Sequence, residues 1–573
     1  MYIFKILLPF IKDYKITIFF YILFIILSFP LEAIIVPQIY SHFFEILTTK
    51  TKVEVFIKYF ILILILLSIV NISNFITSYI DSYIIPELNE FVINYIFKNL
   101  LIKYENNFTD MELGKIISRI STIPSVIKEL ISDFSVWILP RILTILILNI
   151  YFFCLNWKLG LISVILLILF LFCNMYYLIK CSNLSNKRHV SFEEKNQDTQ
   201  DKLSNSQSIY SSGNLYKEIN NYELNTKKYT SKFKDNLFCL NKALIITSII
   251  IVLIFILLNS FSVYLYLNKE LSFTNLVALF ITIIYYTPCI ETISTTMPYI
   301  IHNYGILLAV DHFIKDLYNI KKKKDEEIKD ELNNNSIKIN SGNIIINNLN
   351  FGFHDKKLFQ NFYLTIKKNE KIAILGQSGN GKSTLIKIIM GYYNIPNNTI
   401  FIDNIDINEF DLNDLRHQIS YVSQTNKLFN LSLLENIQYG NNLSRKDIIE
   451  LCNKLDIYNI FKNLEDGLDT NVGIDGNNLS GGQRQMVHIL RCICKKNKIV
   501  ILDEPTSSID KNNTINIINA IKELCNNSTV IIVTHDDILL SCVDRVIKIN
   551  SGKIISDIYV GVGNPDLPTI PLS

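Results

Sequence analysis

Glycine and proline are scarce in this 573-residue chain, at 19 and 13 residues, and only 19% of its residues are charged. With 49% hydrophobic residues, that composition excludes a collagenous, low-complexity or disordered protein. A charge excess is also missing. The 55 Lys and Arg against 52 Asp and Glu leave +3, which calls for no nucleic-acid partner. The ten cysteines form no CxxC pair, and no His stands at zinc spacing from them. Several lie inside apolar runs, where a free thiol behaves as a small hydrophobe. No small-residue cleavage site follows the first apolar stretch. Residues 1–15 therefore read as a short interfacial helix leading into a membrane span, not a removed signal.

What is present is apolar length, concentrated before about residue 310. A bilayer core takes about 20 mostly apolar residues per helix, and six spans are predicted, near 16–43, 55–80, 132–155, 158–180, 243–267 and 272–296. Tight hairpins at Asn156-Trp157-Lys158 and Asn268-Lys269-Glu270 join the third span to the fourth and the fifth to the sixth. The two other long connections, 81–131 and 181–242, are rich in lysine, whereas the short loops are not. That asymmetry places both long connections and both termini in the cytoplasm of a multi-pass protein. Nothing before the first span reads as an organelle presequence, so the choice of membrane stays open. The long connections read as helix, turning near 104–112 and 210–218.

Ionisable residues inside spans are costly and therefore informative. Glu32 lies in the first predicted span, Arg141 in the third and Glu291 in the sixth. At about 1.5 Å per residue, Arg141 lies roughly 21 Å and Glu291 roughly 28 Å inward from the outer ends of their helices. An Arg–Glu pair at that depth reads either as structural, with snorkelling to the interface, or as a polar spot in a substrate cavity.

After the charged, Asn-rich stretch 321–337 the pattern changes to short β-type runs alternating with helices. Gly376-Gln377-Ser378-Gly379-Asn380-Gly381-Lys382-Ser383-Thr384 follows the apolar run 371–375 and precedes a helical one. Strand, glycine loop and helix together make a phosphate-binding loop, with Lys382 reaching the β- and γ-phosphates and Ser383 holding Mg²⁺. A second apolar strand ends in Asp503-Glu504, which suits Mg²⁺ binding by Asp503 and polarisation of an attacking water by Glu504. Twenty residues before Asp503, the segment Leu479-Ser480-Gly481-Gly482-Gln483 opens a helix.

With that LSGGQ the chain resembles the ATP-binding cassette (ABC) transporters. The resemblance implies a Q-loop glutamine at Gln424 near Mg²⁺ and the attacking water, a D-loop at Ser508 and Asp510, and a switch histidine at His535. Phe353 sits where the family stacks an aromatic on adenine, or else reads as a core strand residue. Six spans before one cassette, with Asn156-Trp157-Lys158-Leu159 and the 113–119 segment, are similar to the B-type exporters, which include lipid flippases, drug exporters and mitochondrial half-transporters. One departure is the stretch Thr470–Gly476, which lacks the two glutamates usual before LSGGQ.

The expected fold is an all-α polytopic membrane domain followed by an α/β P-loop ATPase domain. The membrane domain is expected over 1–318, a charged linker over 319–338, the cassette over 339–560 and a tail over 561–573. The resemblance further implies a second half-transporter chain, with a homodimer favoured because the ATP-site residues are intact. It implies ATP and Mg²⁺ at two interface sites, each completed by the partner's LSGGQ. The expected function is export by alternating access of a lipid, drug-like or conjugated solute across a lipid membrane. A non-pumping regulator or an ATP-gated channel is the alternative.

Overall fold

The structure is a computed structural model and describes residues 2–30, 35–48, 53–105, 113–331, 337–353, 356–377, 379–423, 427–455, 457–462, 464–506, 511–525 and 527–560. The chain divides into two compact units, Met1–Tyr104 with Thr109–Lys329, and Asp330–Ser573 with Glu105–Phe108.

The first unit is helical: α1 (Ile3–Asp13), α2 (Lys15–Pro30), α3 (Val36–Thr48), α4 (Val53–Lys103), α5 (Leu113–Ser132), α6 (Leu139–Leu155), α7 (Trp157–Ser204), α8 (Ser206–Ser211), α9 (Leu215–Leu267) and α10 (Phe273–Glu331). Among the described residues, five stretches are long and apolar enough to cross a bilayer: Ile57–Lys103, Lys115–Leu155, Trp157–Ser204, Leu215–Leu267 and Phe273–Lys322. They carry the second to sixth predicted spans. The first predicted span falls on α2 and α3, and Glu32 lies outside the described residues. The 51 residues of α4 and 53 of α9 far exceed what a bilayer needs, so both run on past their apolar parts, as the predicted stalks require. One stalk turns at 205–214, a little earlier than expected, where Gly213 takes the left-handed φ of +67°. The other expected turn lies mostly outside the described residues.

Between α5 and α6 a π-helix spans Asp133–Ile138. Pro140 has no amide to give, and the Leu139 N–H reaches back five residues to the Phe134 carbonyl. Elsewhere packing follows the apolar pattern. Ile3, Ile6, Leu7 and Phe10 of α1 are buried in one cluster with Leu88, Val92 and Ile96 of α4 and Val310 and Leu317 of α10. Phe152, Phe170, Ile254 and Tyr286 centre a second cluster. The two short hairpins are tied together: Lys158 Nζ donates to Glu270 at 2.9 Å, while the Asn156 side chain caps α7 by accepting the Lys158 N–H at 3.0 Å. Cys181 and Cys239, which the absence of a CxxC spacing left without an expected partner, are paired. They meet where α7 packs on α9, 5.8 Å apart at Cα, and form a disulfide.

The second unit holds two sheets. Strands β1 (Ile344–Phe353), β2 (Lys356–Ile366), β3 (Lys371–Leu375), β4 (Ile400–Ile402), β5 (Ile405–Asp406), β6 (Ile419–Val422), β7 (Ile499–Asp503), β8 (Thr529–Val533), β9 (Arg545–Asn550) and β10 (Lys553–Tyr559) occur in that order. The smaller sheet runs β2-β1-β4-β5 and is antiparallel; the larger runs β10-β9-β3-β8-β7-β6. All its pairs are parallel except β10 with β9. Every residue of β7 and β8 is buried, as expected for parallel strands covered on both faces. One core lies between the two sheets around α11 (Lys382–Ile389), and the other lies on the opposite face of the larger sheet, under the helix Gly481–Lys495.

Candidate functional site

Strand register gathers the chemistry at one edge. Ile374 of β3 and Asp503 of β7 both stand level with Val533 of β8, so the segments leaving these strands emerge together. In open parallel sheets this carboxyl edge is where ligands bind. The first segment is the glycine loop from β3 to α11. Gly376 has φ +153°, and a Cβ there would lie 2.3 Å from the Ile549 carbonyl, so only glycine lets the loop pass β9 so closely. Gly381, at φ +93°, caps α11, whose free amides and dipole favour an anion at this end. Asn380 ties the loop to the Ile549 carbonyl at 3.4 Å, and Ser378 lies outside the described residues.

Lys382 is only 6% exposed, and its ammonium donates to the carbonyls of Gly376 and, at 3.1 Å, Gln377. Burial pulls its pKa below the usual lysine range, and the Glu504 and Asp503 charges partly oppose that. Asp503 is buried too, at 3% exposure. Burial raises its pKa; the Ser383 hydrogen bond and the Lys382 charge oppose the rise, while the Glu504 charge adds to it. Ser383 Oγ donates to Asp503 Oδ1 at 3.4 Å. A hydroxyl beside a carboxylate, both hard oxygen donors, fits Mg²⁺ with substrate phosphates completing its shell.

Glu504 follows directly, at φ +50°, a left-handed conformation unusual for a residue with a side chain. Its N–H donates to the Val533 carbonyl at 2.8 Å, which fixes it beside the end of β8. Thr534 is buried there, His535 is exposed, and Asp536 accepts the Ile538 N–H at 3.0 Å to start the next helix. Gln424, Ser508 and Asp510 lie outside the described residues. Phe353, at the end of β1, is 45% exposed and packs against Phe351 and Tyr393, at 5.3 and 5.5 Å between ring centroids. That exposure favours a stacking surface over a core residue.

The signature segment forms a helix start. The Gln483 N–H donates to Ser480 Oγ at 3.2 Å, and the Ser480 N–H donates to Gln483 Oε1 at 2.9 Å. This reciprocal cap explains the Ser and Gln at that spacing. Leu479 is buried beneath it, and Gly481 and Gly482 form the first turn. Arg484 braces the approach through the carbonyls of Gly476 and Leu479, at 3.2 and 2.8 Å. In the departing stretch before it, Asp475 pairs with Lys427 at 2.9 Å.

In the helical unit, Arg141 lines a cavity of about 720 Å³ together with Tyr21, Asp81, Trp137 and other residues of α2, α4 and the π-helix. Glu291 does not line it and is exposed on α10, so the structure does not bring the two predicted cavity residues together there. Asp81 is the residue that sequence reasoning missed. The available signal was polar residues at helical spacing along an otherwise apolar span: Asn74, Thr77, Ser78, Asp81.

Family models match both halves: "ABC transporter transmembrane region" over residues 18–287 and "ABC transporter" over residues 359–507. The chain belongs to the ABC transporters, and its order of one membrane region and one ATPase domain is that of a B-type half-transporter. Among curated relatives it is 40% identical over 218 residues to "ABC transporter ATM1" of Plasmodium falciparum, covering 38% of this chain and 20% of that one. It is 36% identical over 218 residues to an "ATP-dependent lipid A-core flippase" of Syntrophus aciditrophicus, covering 38% of this chain and 36% of that one. Over 249 residues it is 34% identical to the mitochondrial "Iron-sulfur clusters transporter ATM1" of Debaryomyces hansenii, covering 42% and 36%. The matches thus span about a third or less of each relative. A bacterial Atm1-family ABC exporter with ATP bound shares the fold, with TM-score 0.83 over 95% of each chain at 18% identity.

Proposed function

We propose that this chain is one half of an ATP-driven exporter that works as a homodimer. The convergence of Lys382, Ser383, Asp503 and Glu504 at one sheet edge carries the reading. ATP lies in the glycine loop with its phosphates on the amides at the start of α11, and Lys382 exchanges its carbonyl partners for phosphate oxygens. Ser383, Asp503 and Gln424 would hold Mg²⁺, which would offset charge on the phosphates. Glu504 orients and polarises the attacking water, His535 contacts the γ-phosphate, and Phe353 stacks on adenine. Leu479–Gln483 of the second copy closes each site, with Ser508 and Asp510 at the junction. ATP binding favours the closed pair because only that state offers both faces, and hydrolysis reopens it. The lysine-rich stalks and the ATPase domain lie on the cytoplasmic side.

The transported solute is amphipathic, and its site is the Arg141 cavity; Glu291, exposed on α10, is a weaker candidate. The test is ATP-dependent movement of labelled lipids, drug-like cations and conjugates across vesicles holding the purified chain. Movement of one class with hydrolysable ATP only is expected. Active ATP hydrolysis with no movement of any class contradicts export.

A further inference from the structure

Helices α7 and α9 form an antiparallel hairpin closed at 205–214, and side-chain contacts join them from that turn back toward the membrane. Lys202 faces Glu218 at 3.8 Å, and Asn225 donates to Asp198 at 3.3 Å. Nearer the membrane the Arg188 guanidinium lies 3.7 Å from the Phe233 ring centroid. These contacts can break and re-form in water. The next one in the same register, Cys181 with Cys239, is covalent. Lys180 and Lys242, both exposed, lie on the membrane side of the pair, so the disulfide stands outside the hydrocarbon, at the start of the lysine-rich stalk. In the proposed orientation that is the cytoplasm, where cysteines are kept reduced and the disulfides that form are transient or sensing ones. Cys181 has no exposed surface and Cys239 is half-buried, so the Cys239 sulfur is the one a small molecule reaches. Asn236 is fully buried beside them and donates to the Cys181 carbonyl at 3.3 Å, but among the described residues nothing donates to its Oδ1. A buried acceptor without a donor is costly, so this end of the hairpin gains by opening to water once no covalent bond holds it.

We propose that Cys181 and Cys239 are a reversible thiol–disulfide site, exchanging with small-molecule thiols and disulfides of the cytoplasm, and that the oxidised form makes α7 and α9 one lever. The proposal rests on the export reading and adds a regulatory site to it. In oxidation the Cys239 thiolate attacks a small disulfide, RSSR, forming a mixed disulfide and releasing RS⁻. The Cys181 thiol then gives up its proton, and its sulfur displaces the second RS⁻ from Cys239. Two electrons pass from the protein thiols to RSSR, the two protons end on two RSH, and the reverse steps reduce the pair. From Cys181 to Ser204 the stalk is about 35 Å long. With the bond closed, a covalent ring runs through the turn and the two cysteines, 58 residues apart, so a displacement of the turn reaches both spans together. With it open, the helices slide at their base and absorb part of that displacement.

The purified full chain in nanodiscs, without ATP, is equilibrated with 2-mercaptoethanol and its disulfide at graded ratios, and differential alkylation with mass spectrometry reads each cysteine. Cys181 and Cys239 should pass together from mostly thiol to mostly disulfide over about a hundredfold change in the ratio of disulfide to thiol squared. Cys181→Ser should leave Cys239 carrying a mercaptoethanol adduct. A pair that stays oxidised in millimolar thiol, a pair that stays reduced in excess disulfide, or a Cys181→Ser chain without the adduct overturns the exchange. The lever is read in chains that all carry Trp137→Phe, so that Trp157, 64% exposed at the outer end of α7, is the single tryptophan. Iodide quenching of Trp157 is compared before and after trapping with ATP, Mg²⁺ and vanadate. The change should be severalfold larger in the oxidised chain than in the reduced one. The chain with both Cys181→Ser and Cys239→Ser should behave as the reduced chain in either buffer, with its ATP turnover showing that it is folded. Equal changes in the oxidised and reduced chains, or a redox effect that persists in the double variant, overturn the lever. Because the exchange is read without ATP, its failure is distinct from a failure of ATP-driven export.

Discussion

The Ser383 hydroxyl donates to the Asp503 carboxylate at 3.4 Å although 120 residues separate them. The parallel sheet makes that meeting: β3 and β7 flank β8, and each delivers its following residues to the same edge. Two strings that are far apart in sequence thus become one site for phosphate and metal.

Lys382→Ala removes the cation beneath the glycine loop. A charged hydrogen bond contributes about 1.5–3 kcal/mol, so ATP affinity should fall roughly ten- to a hundredfold. Titration of the purified chain with a fluorescent ATP analogue measures it. Unchanged affinity contradicts the assignment of Lys382 to phosphate.

Chains carrying Lys382→Ala and chains carrying Ser480→Ala should each lack ATPase activity alone. Co-expressed, they should recover activity, because a mixed dimer retains one site built from an intact loop and an intact signature. No recovery contradicts sites completed between two copies.

Ser480→Ala also breaks the reciprocal cap with Gln483. Loss of such a cap costs about 1 kcal/mol of stability. Thermal unfolding of the full chain should show a shift of that size at the ATPase-domain transition, while Ser480→Asp, which keeps a capping oxygen, should shift little. Equal shifts in both variants contradict the capping role.

Asp403 accepts the backbone N–H groups of Asn340, Ser341 and Asn343 at 2.8, 2.8 and 2.9 Å. Burial raises its pKa, but the Ser341 side-chain and these backbone hydrogen bonds outweigh that, and the carboxyl is held below its usual range. A lowered folded-state value means the contribution is complete above the unfolded aspartate value, near 3.9, and is lost as pH falls through the lower folded one. Asp403→Asn should therefore flatten the acid-unfolding curve of the full chain below about pH 4, relative to wild type. An unchanged curve contradicts the role of this carboxylate.

How much was legible in advance follows from how local each feature is. Gly376–Thr384, Asp503-Glu504 and Leu479–Gln483 are contiguous strings whose roles follow from a strand or helix end, and the structure puts each at such an end. The span positions followed from apolar length alone; the second to sixth fall on the five long apolar stretches between Ile57 and Lys322, and the first falls on the shorter α2 and α3. Facing partners were harder to read. Depth along a helix suggested Arg141 beside Glu291, but depth says nothing of azimuth; Arg141 lines the cavity, whereas Glu291 is exposed on α10 and is not among its lining residues. Asp81 reaches the Arg141 cavity, 60 residues away in sequence, only because α4 and α6 both pack on α2. The same holds for Cys181 and Cys239, whose pairing depends on the contact of α7 with α9.

The central claim is ATP-driven work through Glu504. The most direct measurement is ATP hydrolysis by the purified full chain in lipid vesicles, wild type beside Glu504→Gln, with Mg²⁺ and the solute panel present. Loss of the residue that activates water should lower turnover about a hundredfold or more, while ATP still binds. Turnover by Glu504→Gln near the wild-type rate would contradict the account.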